Sequence, residues 1–439
     1  MLPSANALAL FFMLDIKFIR ENPQKVKKIC KEKNIDSSLV DKVLDLDAKR
    51  RKLIQESEGL RAEKKKLGKK DIEKAKKLKE KIRPLAEELS GVEKEYARLL
   101  LLTPNVYSDD TPLGKDESYN KEVYSWGKIP KFDFPVKSHV QLGEELDLID
   151  FEKGSRASGF RGYYLKNEAA LLHFSLLWHA FLKIVSKGFV PMIPPTILRE
   201  FALIGSGHFP FGKEDVYQIA NPGKLASGEE IKEPLFLVGT AEPSILAYFA
   251  DTTFQKKDLP LKACGFSQCY RSEIGSYGKD TKGLYRLHEF MKIEQVVLCK
   301  DDVKESNYWL EEMKKISQEI LEELELPYRV IQICTGDMGA GKYKMYDIET
   351  WMPSRNSYGE THSASNLTDW QPRRLNIKYK DKKGKNHYVY ALNDTVLASP
   401  RILIAVLENY QRKDGKINVP KVLQKYLPSH PKTIPFLKH

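Results

Sequence analysis

The chain has 439 residues, 41% of them hydrophobic and 30% charged, with a formal net charge of +12. Length alone predicts two or three domains, and that much apolar material excludes a wholly disordered or fibrous chain. No uninterrupted apolar run approaches the roughly 18 residues of a membrane span, so a soluble protein without a membrane partner is expected. The five cysteines, Cys30, Cys264, Cys269, Cys299 and Cys334, include no Cys-x-x-Cys pair. That pattern argues against a disulfide scaffold or zinc ribbon and predicts a reducing, cytoplasmic setting.

In chain order, residues 1–12 are apolar and lack the charged start of a signal peptide and the arginines of a transit peptide. They read as an N-terminal extension of unknown role. From Leu39 the apolar residues step through Val43, Leu46, Leu53, Leu60 and Leu67, with polar Arg50, Ser57 and Lys64 filling the remaining seam positions. A second series, Ala75, Leu78, Ile82, Leu85, Leu89, Val92, Tyr96 and Leu99, alternates three and four without a break. Each series keeps one stripe on one side of a helix, the seam of a coiled coil. Between them Gly68 reads as a C-cap and Asp71 as an N-cap, which predicts one antiparallel helical hairpin. Pro84 should kink its second leg. Legs of about 30 residues would project on the order of 45 Å.

Charge and chain order meet at the hairpin tip. Residues 61–83 hold twelve Lys or Arg against four Asp or Glu, two thirds of the surplus of the whole chain. A lysine run is commonly a solvated helical face, and a dimerising coiled coil is a second ordinary explanation. A dimer seam needs no basic cluster at its turn, whereas a lever reaching along a nucleic acid backbone does. Arg61, Lys64, Lys65, Lys66, Lys69 and Lys70 are therefore the candidate polyanion contacts.

Residues 103–135 are rich in Pro, Gly, Asp and Lys and read as linker and irregular structure. Beyond them, 171–185 has helical periodicity, and 261–266, 291–298, 328–334, 344–352 and 387–392 read as strands. Strands following one another without crossover helices predict an α+β fold, an antiparallel sheet flanked by helices. Residues 336–343 nearly spell a P-loop. Tyr343 stands where the magnesium-binding hydroxyl is needed, and a strand is expected next, so no helix start faces a phosphate.

Chemistry concentrates in residues 266–294. Two strands around Gly275, Gly278 and Gly283 should form a hairpin. Arg271 and Glu273 would share a face, as would Arg286, His288, Phe290, Lys292 and Glu294 on the returning strand. Arginines suit phosphate and carboxylate, and an aromatic suits a purine face. An ion-paired sheet surface over a core Phe290 is the ordinary alternative.

Arg271-x-Glu273 with Arg286-x-x-x-Phe290 resembles motif 2 of the class II aminoacyl-tRNA synthetases. Residues 187–194 resemble motif 1, with its dimer-interface proline, and residues 397–406 resemble motif 3. Within that class, Thr240-Ala241-Glu242, residues 334–339, Glu360-Thr361-His362-Ser363-Ala-Ser-Asn366 and Leu392-Asn-Asp-Thr395 resemble the seryl-tRNA synthetase family. So does the basic arm, and the resemblance runs over nearly the whole chain from Met13.

The resemblance implies a homodimer with a tRNA-binding helical arm over residues 13–112 and a class II catalytic domain over 113–439. It implies that ATP, with Mg2+, activates L-serine to seryl-adenylate and pyrophosphate. The seryl group then passes to the 3′-terminal adenosine of tRNA(Ser), with tRNA(Sec) as a further acceptor the family allows. Arg271 would bridge the serine carboxylate and the α-phosphate, with Arg286 and Arg401 on the γ-phosphate and Phe290 against adenine. Ser272, Glu273, Leu287, Thr361 and His362 would complete the nucleotide site, and Glu360 and Ser363 would hold the metal. Thr240, Ala241, Glu242, Glu294 and Thr395 would receive the serine ammonium and hydroxyl. Asp394 and Pro400 depart from the family, each standing where glycine is more typical. A relative that loads a carrier protein and an inactive nucleic-acid-binding relative are the alternatives. The basic tip argues against the first. The complete set Arg271, Glu273, Arg286, Phe290, Glu294 and Arg401 argues against the second.

Overall fold

The computed structural model describes residues 14–68, 70–221, 223–274 and 282–435, so Lys69, Gly275 and Gly278 lie outside the described residues. The chain splits into two compact units, Met1–Tyr107 with Gly339–Gly341, and Ser108–Met338 with Lys342–His439.

The first unit is helical, with α1 (Ile16–Glu21), α2 (Pro23–Glu32), α3 (Ser38–Lys66) and α4 (Ile72–Leu101). α3 and α4 are the two long legs expected from the heptad spacing. Apolar seam residues Val43, Leu53, Leu78, Val92, Tyr96 and Leu99 are buried between them. At the base, the carboxylate of buried Asp47 accepts two hydrogen bonds from Arg20, both 2.7 Å, and one from Arg51 at 3.1 Å. A buried carboxylate is stable only when paired in this way. Burial thins toward the tip, where Arg61, Lys64, Lys65, Lys66 and Lys70 are all exposed. The turn differs in detail from the expected caps. α3 stops at Lys66 with Leu67 as its C-cap, and Asp71 is the N-cap residue of α4 as expected, although its carboxylate accepts from the Gly68 amide at 3.1 Å and makes no cap bond to α4. Pro84 lies within α4, which is one continuous helical segment across it.

The second unit is built on an eight-stranded sheet. Its strands are β1 (Lys121–Trp126), β2 (Val190–Met192), β3 (Leu261–Tyr270), β4 (Glu289–Cys299), β5 (Tyr328–Gln332), β6 (Lys344–Met352), β7 (Ser357–Thr368) and β8 (Tyr390–Ala398). They lie in the order β1-β5-β6-β7-β8-β4-β3-β2, antiparallel except for the β2–β3 pair at the edge. The longest helices packed on the sheet are α5 (Asn167–Ser186), α6 (Val303–Glu323) and α7 (Ser399–Asn409). Their apolar stripes meet the sheet in one large core including Leu176, Ile184, Ile320, Ile348, Leu392 and Leu403. The fold is α+β, as the strand spacing predicts.

α5 is the one described helix with the length and apolar composition to cross a membrane, and half of it is buried in this unit. Its outer face carries Phe174, Trp178 and Leu182, spaced by four and 57%, 52% and 40% exposed. Val190 on the edge strand and Ile193 just beyond it are exposed as well. The P-loop look-alike forms a turn leading into β6. A Cβ at Gly336 would meet the Lys115 carbonyl oxygen at 2.3 Å, so the glycine serves close backbone packing.

Candidate active site

The β3–β4 hairpin opens earlier than the sequence suggests. β3 ends at Tyr270 and β4 begins at Glu289, so Arg271, Glu273, Arg286 and His288 lie outside the ladder. Arg271 is anchored through its backbone, with its amide donating to the His288 carbonyl at 2.9 Å. Its guanidinium lies 5.5 Å from the Phe290 ring centroid, and Nε donates to the Gly239 carbonyl at 3.4 Å. Glu273 has φ +54°, a left-handed conformation uncommon outside glycine. That turn replaces the shared strand face expected for Arg271 and Glu273, and it brings Glu273 within 2.8 Å of Arg286 Nη1.

A third arginine, Arg401, arrives from α7. Arg401 Nε donates to the Tyr285 carbonyl at 3.1 Å, and Nη1 donates to the Glu360 carbonyl at 2.8 Å. Pro400 sits in the first turn of α7, where a missing amide hydrogen costs nothing. The Tyr285 ring centroid lies 4.5 Å from the Arg401 guanidinium and 4.4 Å from that of Arg355. Burial works against charge on Arg401, yet Glu360, Tyr285 and Glu273 together raise its pKa. Arg271, Glu273, Arg286, Leu287, Phe290, Lys292, Glu360, Thr361, Thr395 and Arg401 line one cavity. Arg271, Glu273 and Arg286 also line an adjoining one of about 600 Å³ beside His208 and Gly239.

A β-bulge explains how Glu360 and Ser363, three apart on a strand, reach the same side. Glu360 pairs with Glu349, His362 with Ile348 and Ser363 with Asp347, so Thr361 is the extra residue. Glu360 and Ser363 therefore share the face of Asp347 and Glu349. Asp347 also carries a buried oxygen, Oδ1, with no hydrogen-bond partner. An oxygen-rich face of this kind fits a hard divalent cation. Among the described residues no three His, Cys, Asp or Glu side chains converge as a ready-made cage.

The same bulge removes His362 from the site. It faces the core with Ile348, and burial pushes its pKa down to about 3. Thr361 reaches the cavity wall, but its hydroxyl donates inward to the Ile348 carbonyl at 3.1 Å. Ser272 is also outside the cavities. Its hydroxyl donates to the Glu214 carbonyl at 2.7 Å and fastens the strand end to that loop.

At the inner end, Lys292, Glu294 and Thr395 are all buried. Lys292 Nζ lies 2.6 Å from Glu294 Oε2 and donates to Thr395 Oγ1 at 3.2 Å, and Thr395 Oγ1 donates to Glu294 Oε2 at 3.4 Å. Thr395 and Glu294 face each other directly across β8 and β4. Buried nearby on the sequence signature, Thr240 has a hydroxyl without a partner and Ala241 is fully buried. Glu242 accepts from Gln371 Nε2 at 2.6 Å and from Asn393 Nδ2. Lys292 and Thr395 line the cavity, while Glu294, Thr240 and Glu242 do not.

Comparison with known proteins decides between the readings. Residues 13–107 match the seryl-tRNA synthetase N-terminal domain, and residues 224–410 match the class II tRNA synthetase core domain (G, H, P, S and T). The serine–tRNA ligase of Deinococcus radiodurans is 43% identical over 426 residues, covering 94% of this chain and 97% of its own. The chain belongs to the seryl-tRNA synthetase family. Seryl-tRNA synthetase from Pyrococcus horikoshii, solved with ATP, superposes with a TM-score of 0.87 at 37% identity, over 96% of this chain and 99% of that one. The cytoplasmic serine–tRNA ligase of Naegleria fowleri, solved with AMP, gives 0.86 at 30% identity, over 96% and 98%.

Four side chains to which the sequence gives no role stand in or around the site: Lys292, Tyr285, Arg355 and Glu408. Glu408, on the last turn of α7, is fully buried and accepts four hydrogen bonds. Two come from His139, from its backbone N at 2.9 Å and Nδ1 at 2.8 Å. Two come from Ser354, from its backbone N and Oγ, both at 2.9 Å. His139 Nε2 in turn accepts from the Leu284 amide at 3.0 Å, which places the ring proton on Nδ1. One carboxylate thus ties down residues 284 and 354, the neighbours of Tyr285 and Arg355. Nothing in the local sequence marks Glu408, because its partners lie more than 50 residues away.

Burial would raise the Glu408 pKa, but the bonds from His139 and Ser354 overcome it and hold the group lowered. Glu408→Gln should cost roughly 3 kcal/mol of stability, since a neutral amide replaces a charged acceptor and opposes one donor. A depressed pKa stabilises fully above the ordinary glutamate value and loses that contribution as pH falls through the folded value. Thermal unfolding should therefore show a constant gap between the two proteins at neutral pH that closes below about pH 4.5. A gap that widens on acidification contradicts the assignment.

Proposed function

We propose that the chain is an ATP-dependent serine–tRNA ligase that forms seryl-adenylate in the Arg271 cavity and passes the seryl group to tRNA(Ser) held by the α3–α4 arm. The observation that carries this reading is the convergence of Arg271, Arg286 and Arg401 with Phe290 beside the buried Lys292–Glu294–Thr395 cluster. In the first step the serine carboxylate attacks the α-phosphate, a P–O bond forms and pyrophosphate leaves. In the second a hydroxyl of the terminal adenosine attacks the acyl carbon, and AMP leaves.

No side chain needs to act as a nucleophile, so positioning and charge stabilisation carry the reaction. Arg271 screens carboxylate from phosphate. Arg286 and Arg401 hold the outer phosphates in a bent conformation, and Phe290 supports adenine. Glu360 and Ser363 would hold magnesium, which would supply charge neutralisation at the phosphates. Glu294, Thr395, Thr240 and Glu242 accept from the serine ammonium and hydroxyl. A site of buried acceptors rejects alanine because alanine leaves them unpaired.

ATP–pyrophosphate exchange without tRNA, screened against serine, threonine, alanine, glycine and cysteine, tests the catalytic half. Exchange with serine alone is expected. A folded, ATP-binding protein that exchanges with none of them overturns the reading. For the arm, which we bound at residue 112, neutralising Lys64, Lys65, Lys66 and Lys70 should spare exchange. It should weaken tRNA(Ser) binding about tenfold or more at moderate salt and flatten the salt dependence. Unchanged binding would return the tip to a solvated face; tRNA(Sec) is the second acceptor for the same assay.

A second copy of the chain is the proposed cover for Phe174, Trp178, Leu182 and Val190, an apolar face larger than single exposed residues account for. Sedimentation should give twice the 50.4 kDa mass of one chain. Trp178→Glu should shift the protein toward monomer, and a wild type that sediments as a monomer contradicts the dimer.

A further inference from the structure

Asp394 precedes Thr395 on β8, and no step of the proposed reaction uses it. It is fully buried, as are Gln295 directly opposite on β4 and Ser317 on α6. Asp394 Oδ2 accepts from Gln295 Nε2 at 2.8 Å and from Ser317 Oγ at 2.7 Å. Ser317 Oγ also lies 3.1 Å from the Thr395 carbonyl, and Gln295 Nε2 donates to the Met313 carbonyl at 3.0 Å. Two buried oxygens are left over, Asp394 Oδ1 and Gln295 Oε1, each without a donor.

Two orphaned acceptors belonging to one hydrogen-bonded pair are a large penalty for a core with no exposed surface. A single proton removes it. Carried on Asp394 Oδ1, it converts one orphan into a donor and the other into its acceptor. In that form Oδ1–H would donate to Gln295 Oε1, beside the bond that Nε2 already gives to Oδ2. The charged groups that act on Asp394 are Glu294 and Lys292. Each is already committed to the other at 2.6 Å, so a charged Asp394 would face Glu294 with no cation of its own.

We propose that Asp394 is a neutral carboxylic acid, paired with the Gln295 amide, and that this pair is a positioning element for Thr395 and Glu294 in the serine pocket. Burial and the nearby Glu294 both push its ionisation upward, in the direction the geometry requires. The role in serine binding rests on the proposed ligase reading; the protonation state does not. Holding this acid neutral adds no second negative charge beside Glu294, and the pair joins β8 to β4 at the position next to Thr395 and Glu294.

The test separates the two parts. Isotope-edited infrared difference spectra of the full-length protein against Asp394→Asn should show a protonated carboxyl carbonyl band at pH 8 in the wild type only. Absence of that band overturns the neutral acid, whatever the enzyme's substrate. Asparagine reproduces both hydrogen bonds of the protonated acid, so Asp394→Asn should keep the serine KM within about threefold. Asp394→Leu orphans Gln295 and should raise the serine KM about tenfold or more with the ATP KM nearly unchanged. An Asp394→Asn enzyme as impaired for serine as Asp394→Leu, or equal losses for serine and ATP, overturns the positioning role. If the leucine variant does not fold, the asparagine KM values and the infrared band decide.

Discussion

Arg271→Ala should lower serine-dependent ATP–pyrophosphate exchange by about 100- to 1,000-fold, the usual effect of removing one preorganised charge-stabilising donor. The reaction brings a carboxylate onto a polyanion, and charge builds on the α-phosphate as the new bond forms. Arg271 lies against Phe290, beside Arg286 and next to the buried Lys292–Glu294–Thr395 cluster, where both reactants would meet. Its guanidinium makes a long bond of 3.4 Å to Gly239, so little in the folded state depends on it. The melting temperature of Arg271→Ala should consequently stay within a few degrees of the wild type. Arg271→Lys should recover only part of the rate, because an ammonium lacks the planar fork that spans carboxylate and phosphate. Near-normal exchange by the alanine variant would remove Arg271 from the bridging role.

How much of this was legible in the sequence depends on the range of the interaction. The arm was legible because heptad spacing is local: residues three and four apart define the seam, and Val43, Leu53, Leu78, Val92 and Tyr96 are buried on it. The α+β class followed from strands without crossover helices. Side-chain direction was harder. Period-two alternation placed Arg271 with Glu273, but the strand ends at Tyr270 and Glu273 turns left-handed. The same alternation would separate Glu360 from Ser363, and a one-residue bulge at Thr361 reunites them while sending His362 into the core. Bulges and positive φ values at non-glycine residues leave no periodic trace. Glu408 and Arg355 were missed for another reason: each acts through partners far away in the chain that only the folded arrangement brings together.

Glu294→Gln should raise the serine KM by about 100-fold or more while leaving ATP binding intact, since an amide lacks the charge that an ammonium requires. It should also destabilise the protein by about 3–5 kcal/mol, because Lys292 would be left charged and buried without its anion. The two effects have separate causes and can be pulled apart. Lys292 and Glu294 are both buried and 2.6 Å apart, and Thr395 bonds to each. A Lys292→Met change made together with Glu294→Gln removes the unpaired cation and fills the same volume with an apolar chain. The double variant should regain most of the lost stability, as replaced buried ion pairs commonly do. Serine activation should stay lost, because no carboxylate remains at that position to receive the ammonium. Recovery of both stability and serine activation in the double variant would show that Glu294 serves the fold rather than the substrate.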